Sequence, residues 1–217
     1  MLNQVKNTWV VTQLVDKDCL DFWRNRLKDQ TPEDFQNWHP ARQQGYLNCR
    51  MAMAECYLKL TGKNLSSFQI QDHHSLEQDP AVLISLSHTS KFAVCWMALA
   101  NQEVQGLGVD IELSDRVVTD KILEFIAHSC DSRERRPSLE YWCMKEASFK
   151  SFTCLKKERR PKGLRDVWVQ RNQFGSAANN SLGDIQVNRH QQGEQELVIA
   201  FASFNSVREI ETQALDQ

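Results

Sequence analysis

The chain has 217 residues, 41% of them hydrophobic and 25% charged, enough apolar material for a packed core. A formal net charge of -2 leaves no global basic field, so nucleic acid is not expected as a partner and electrostatic recognition has to be local. No apolar run approaches the roughly 20 residues of a membrane helix, the opening residues lack the apolar core of a signal peptide, and the seven cysteines include no C-x-x-C pair. These features predict a cytoplasmic protein with reduced thiols and no membrane contact.

Residues 8–15, rich in β-branched and aromatic side chains, predict an opening strand, and residues 16–28 a helix. Thr31-Pro32 has the form of a helix start, with threonine capping and proline in the first turn. Between residues 40 and 60 the apolar positions Tyr46, Leu47, Met51, Ala54 and Leu58 recur at helical steps, predicting a long helix stopped by Thr61-Gly62. Short apolar strands follow at 81–87, 92–100 and 107–113, then helices at 119–128 and 138–152. The last predicted strands are 166–171, 184–188 and 196–204. Residues 175–183 read as a flexible turn, and those after Asn205 as a short helix or frayed end. Helix followed by strands, twice over, predicts an α+β fold made of a pseudo-twofold pair of similar subdomains, residues 1–105 and 106–217.

Two stretches bear chemistry. In Gly106-Leu107-Gly108-Val109-Asp110-Ile111-Glu112, strand alternation sends Asp110 and Glu112 to one face and Val109 and Ile111 to the other. Neighbouring carboxylates repel unless a cation or shared proton sits between them, and hard oxygen ligands so spaced suit magnesium. Two solvent-facing acids on an ordinary strand are the plain alternative. In Tyr141-Trp142-Cys143-Met144-Lys145-Glu146-Ala147-Ser148-Phe149-Lys150, helical spacing puts Trp142, Glu146 and Lys150 on one face. There Glu146 can be a third metal-directed acid or a base, and Lys150 a cation aimed at phosphate. A surface Glu-Lys pair is again the alternative.

The order Gly108-Val109-Asp110-Ile111-Glu112, then Trp142 through Lys150, preceded by Ile84-Ser85-Leu86-Ser87-His88-Thr89, resembles the signature of the 4'-phosphopantetheinyl transferase superfamily. The chain length and full N-terminal half resemble its larger, surfactin-synthetase-activating type. The resemblance implies a monomeric enzyme of two α+β halves with coenzyme A bound between them. It would transfer phosphopantetheine to a serine of an acyl or peptidyl carrier protein. It further implies that Asp110, Glu112 and Glu146 hold magnesium (Mg2+) against the pyrophosphate of coenzyme A. Glu146, or a water on the metal, would take the serine proton, and Lys150 would stabilise the departing phosphate. His88 is implied on a phosphate of coenzyme A and Lys145 near its pantetheine side or in solvent. Arg42, just after His39-Pro40, is implied on the adenosine 3'-phosphate, where a helix start and a guanidinium suit an anion. Six basic residues fall between 156 and 165; among them Lys156, Lys157, Arg159 and Arg160 suit docking of the carrier's acidic helix, or else form a solvated loop.

The chain departs from the family pattern on the nucleotide-gripping side. Glu77-Gln78-Asp79-Pro80 stands where many relatives have Gly-Lys/Arg-Pro, Gln36-Asn37-Trp38-His39 lacks the usual bases, and Phe125-Ile126-Ala127-His128 lacks a Phe-Ser/Thr-x-x-Glu motif. Three readings follow: a transferase gripping coenzyme A more weakly or by other cations, a relative that binds a carrier or assembly partner without transfer, or a different magnesium-dependent phosphohydrolase.

Overall fold

A computed structural model describes residues 6–13, 17–100, 104–132, 137–176 and 181–204. The feature expected after Asn205 lies outside these residues. Strand β1 (Asn7–Gln13) leads to helix α1 (Lys17–Arg26). The helix expected at Thr31-Pro32 is instead a single turn of 3-10 helix, Phe35–Asn37. Two constraints keep it short. Phe35 is buried against the rings of Trp38 and Tyr46, and Pro40 holds His39 extended at φ -55°, ψ 138°. Helix α2 (Pro40–Thr61) starts with proline at its first turn and with the His39 ring accepting the Ala41 N–H at 3.3 Å. It ends where Gly62 turns left-handed at φ 75° and donates to the Leu58 carbonyl at 2.8 Å.

A small hairpin follows, β2 (Ile70–Gln71) and β3 (Ser75–Leu76), then the long strands β4 (Asp79–His88), β5 (Phe92–Leu99) and β6 (Gly106–Leu113). Helices α3 (Asp120–Ile126) and α4 (Ser138–Ser151) precede β7 (Val167–Gln170), β8 (Gln173–Ser176), β9 (Ser181–Gln192) and β10 (Gln195–Phe204). Strand β8 occupies ground predicted to be a turn. Phe174 is fully buried against Phe152, and that burial holds the segment in the ladder between β7 and β9. Strand β9 runs well beyond the predicted 184–188, because β10 pairs with it in one continuous register from Gln195↔Gln192 to Phe204↔Gly183.

The strands form two five-stranded antiparallel sheets, ordered β1-β5-β4-β3-β2 and β6-β10-β9-β8-β7. The second order is the first shifted by five strands, and each half places its two helices between its first and second strands. The fold is α+β. Alternation along β5 explains the layering: Ala93, Cys95 and Met97 join the core beneath α2, while Phe92, Val94, Trp96 and Ala98 face the second sheet. On β10, Val198, Ala200 and Ala202 join the core beneath α4, and Leu197, Ile199 and Phe201 face back. The two sheets therefore stack between two outer helices, with Trp96 and Phe201 ring to ring at 5.4 Å across the seam. Among the described residues no helix is long and apolar enough to cross a membrane. The seven cysteines carry no disulfide, and Cys130 is the exposed one.

Candidate functional site

Along β6 the alternating positions Gly106, Gly108, Asp110 and Glu112 turn toward α4. A β-carbon on Gly106 would lie 2.2 Å from the Ser151 carbonyl oxygen, and one on Gly108 would lie 1.8 Å from that of Ala147. Only glycine lets the helix rest directly on the strand here. The two elements run in opposite senses, so the close approach delivers Asp110 to Lys150 and Glu112 to Trp142.

Asp110 is 5% exposed. Its Oδ1 accepts from Lys150 Nζ at 2.8 Å and from Ser87 Oγ at 2.9 Å. Lys150 also donates to the Val109 carbonyl and to Ser87 Oγ, each at 3.1 Å. Oδ2 of the same carboxylate is buried and has no hydrogen-bond partner of good geometry among the described residues. The buried Cys143 thiol faces this carboxylate, its pKa raised by burial and further by the Asp110 charge, but a thiol is a weak donor. An orphaned carboxylate oxygen is costly in a protein interior and suits a hard cation. Ser87 comes from the other half of the chain. So does Ser85, whose Oγ accepts the Val109 N–H at 2.9 Å. The site is thus stitched across the seam.

Glu112 is held differently. Its Oε1 accepts from Trp142 Nε1 at 3.2 Å and from the guanidinium of Arg116, which also lies 4.9 Å from the centre of the Trp142 ring. Glu146, one helical turn from both Trp142 and Lys150, is partly buried. Burial lifts its carboxyl above the ordinary value; the Lys150 cation opposes this, the Asp110 charge adds to it, and Arg116 opposes it. Two of the three expected acids are therefore charge-balanced by the chain's own cations. As they stand, no three His, Cys, Asp or Glu side chains among the described residues are gathered into a metal cage. The free Oδ2 of Asp110, with the Glu146 carboxyl close enough to feel the Asp110 charge, still makes this donor set fit magnesium.

Of these acids Glu112 lines a cleft of about 520 Å3, whose other walls include Arg42, His88, Thr89, Asp115 and Arg116. Arg42 stacks over Trp38 at 3.8 Å. The His88 ring lies against α2 at Gly45, where a β-carbon would come within 2.8 Å of its Cε1, and its Nδ1 is 3.1 Å from the Thr89 carbonyl oxygen. From sequence alone Ser87 falls inside the motif with His88 but carries no assigned role, and Arg116 is not singled out. The available signals were the position of Ser87 next to His88 and of Arg116 four residues after Glu112.

Lys145 does not reach this cleft, and the coenzyme A contact expected of it is corrected. It is fully buried, 2.7 Å from Asp131 Oδ2, and donates to the Val167 carbonyl at 2.5 Å. Burial lowers its pKa and Asp131 works against that. One residue off the Glu146 face is about 100° around a helix, enough to send it elsewhere. Asp131 also accepts from the Tyr141 hydroxyl and from the backbone N–H of His128 and Val169, so Lys145 belongs to a structural latch. In the basic loop, Lys156, Lys157 and Arg159 are exposed, and Arg160 donates from Nε to the Leu155 carbonyl at 2.6 Å. Lys156, Lys157 and Arg160 border a separate groove of about 700 Å3 together with His73 and His74 of the first half.

Set against known proteins, the chain matches no family model, and no curated protein matches it.

Proposed function

We propose that this chain is a magnesium-dependent 4'-phosphopantetheinyl transferase, a monomer acting on coenzyme A and an acyl or peptidyl carrier protein. The observation that supports it is Asp110, with Lys150 on one oxygen and no hydrogen-bond partner among the described residues on the other, two residues along β6 from Glu112, which lines a cleft with Arg42, His88 and Arg116. Asp110, Glu112 and Glu146 would hold the magnesium, which when bound offsets charge on the pyrophosphate of coenzyme A.

The chain's own residues do the rest. Arg42 and His88 take nucleotide phosphates at the cleft wall. The carrier serine oxygen bonds to the phosphorus that bears pantetheine, and the bond from that phosphorus to the bridging oxygen breaks. The serine proton passes to Glu146, whose pKa burial raises, making its carboxylate a stronger base than an exposed one. The electron pair leaves on the 5'-phosphate of 3',5'-bisphosphoadenosine, where the Lys150 ammonium meets it.

A second reading, a relative that binds a partner without transfer, is favoured by residues 77–80. Gln78 accepts from the Ser66 and Ser67 backbones at 3.0 and 2.8 Å, and Asp79 takes the Tyr57 hydroxyl at 3.2 Å. This segment ties down a loop and offers no cation to a nucleotide.

One assay separates the two. The protein is incubated with magnesium, coenzyme A and a set of apo-carriers, and each carrier is weighed by mass spectrometry. A gain of roughly 340 Da, the mass of one phosphopantetheine group, is expected. Unchanged carriers in the presence of bound coenzyme A would establish the second reading instead.

A further inference from the structure

We infer that Arg116 is a phosphate-gripping residue of the cleft, stored on Glu112 until that carboxylate turns to a divalent cation. The inference rests on the reading of Asp110, Glu112 and Glu146 as cation ligands and deepens it.

Three observations carry it. First, Arg116 lines the same cleft as Arg42 and His88, so a guanidinium freed from Glu112 emerges among groups already suited to phosphate. Second, Arg116 is exposed, yet its planar head is held twice, by the Glu112 carboxylate and by the face of Trp142. The backbone beneath it is equally fixed, since Arg116 N–H donates to the Leu113 carbonyl at 3.0 Å and Ser114 N–H to that of Glu196 at 3.0 Å. Only side-chain torsions need change for it to swing. Third, residues 77–80, where a nucleotide-binding base was expected and not found, are occupied by structural hydrogen bonds. A cation from β6's own turn supplies what that segment lacks.

The exchange has a clear electrostatic logic. In the free protein Arg116 neutralises Glu112, which would otherwise face Asp110 and Glu146 as one of three like charges. Were Asp110, Glu112 and Glu146 to hold a divalent ion, Glu112 would no longer need Arg116 for neutrality, and the guanidinium would be released from it. The displaced arginine then has a phosphate as its best partner, and its two-pronged geometry matches one. Asp115, on the same cleft wall, repels a phosphate and offers the freed guanidinium a rival partner, so the phosphate, with Arg42 and His88 beside it, has to outcompete that carboxylate.

The test is calorimetric titration of the full chain with Mn2+ alone, then with 3',5'-bisphosphoadenosine at saturating Mn2+. Arg116→Gln is expected to tighten Mn2+ binding by about two- to fivefold, because a competing surface cation has gone. The same variant is expected to weaken the nucleotide by about tenfold or more. Arg116→Lys should recover only part of the nucleotide affinity. Opposite signs for the two ligands are the diagnostic result. Parallel weakening with a lowered melting temperature would make Arg116 structural, and no change in either would make it a bystander; both outcomes overturn the inference while leaving the cation site standing. If the parent protein binds neither Mn2+ nor the nucleotide, the inference and the proposed function fall together.

Discussion

The carbonyl oxygen of Ala147 lies where a side chain on Gly108 would begin, 1.8 Å from the position of its β-carbon. This contact sets the distance between β6 and α4, and through it the meeting of Asp110, two residues on, with Lys150. Gly108→Ala must push the helix off the strand and is expected to cost about 3 kcal/mol or more. Gly163→Ala, which meets nothing within 4 Å, is the matched control and should melt with the parent. Circular dichroism melts of the two variants make the comparison. Similar melting temperatures would mean that the close approach does not organise the site.

The two lysines of α4 should differ in function. Lys145→Met leaves Asp131 without its buried cation and is expected to cost about 3–5 kcal/mol in stability, while coenzyme A affinity of the folded protein stays at the parent value. Lys150→Met strips the buried Asp110 of its cation and so also lowers stability, but under the proposed function it should in addition lower turnover of the folded protein by about a hundredfold. Isothermal titration with coenzyme A and thermal melts decide this. Loss of coenzyme A binding by Lys145→Met at an unchanged melting temperature would restore the contact that the structure removes.

Glu146 makes a prediction about pH. Its folded-state pKa is raised, first by burial. The native state therefore holds this proton more tightly than the unfolded chain, and native stability falls as pH rises from the ordinary glutamate range through the raised value. Glu146→Gln removes that penalty. In protein stripped of metal by a chelator, the variant should melt above the parent at neutral pH and with it below about pH 4, where both states are protonated. The same substitution should reduce transfer by about a hundredfold or more. A parent that gains no relative stability on acidification would contradict the burial assigned to this group.

The basic loop is tested by reversing Lys156, Lys157, Arg159 and Arg160 to glutamate. Carrier affinity should drop by about tenfold or more and lose much of its salt dependence. Coenzyme A affinity should hold, because the groove bordered by this loop is distinct from the cleft of Arg42 and His88. Equal carrier affinities for variant and parent, measured by surface plasmon resonance at low salt, would remove the loop from the docking surface.

Local pattern was sufficient for elements whose signal is confined to neighbours in the chain. The two-residue period of β6 put Asp110 and Glu112 on one face, the four-residue period of α4 aligned Trp142, Glu146 and Lys150, and Pro40 with Gly62 bounded α2. Strand β8 was not legible because Gly175 and Ser176 look like turn residues until Phe174 is seen buried against Phe152. The short hairpin β2–β3 is held by pairing with β4, a partner too weakly signalled by residues 70–76 themselves.

The identities of the acids and bases, and the faces they occupy, belong to the sequence alone, because helix and strand periods are local properties of the backbone. Which cation each acid meets was decided by packing. Lys145 and Lys150 look alike in sequence, yet one is driven into the Asp131 latch and the other onto Asp110; Arg116 reaches Glu112 only because β6 ends in a turn beside Trp142. Charge pairing across a seam depends on distances between distant segments, and those exist only once the two sheets have stacked.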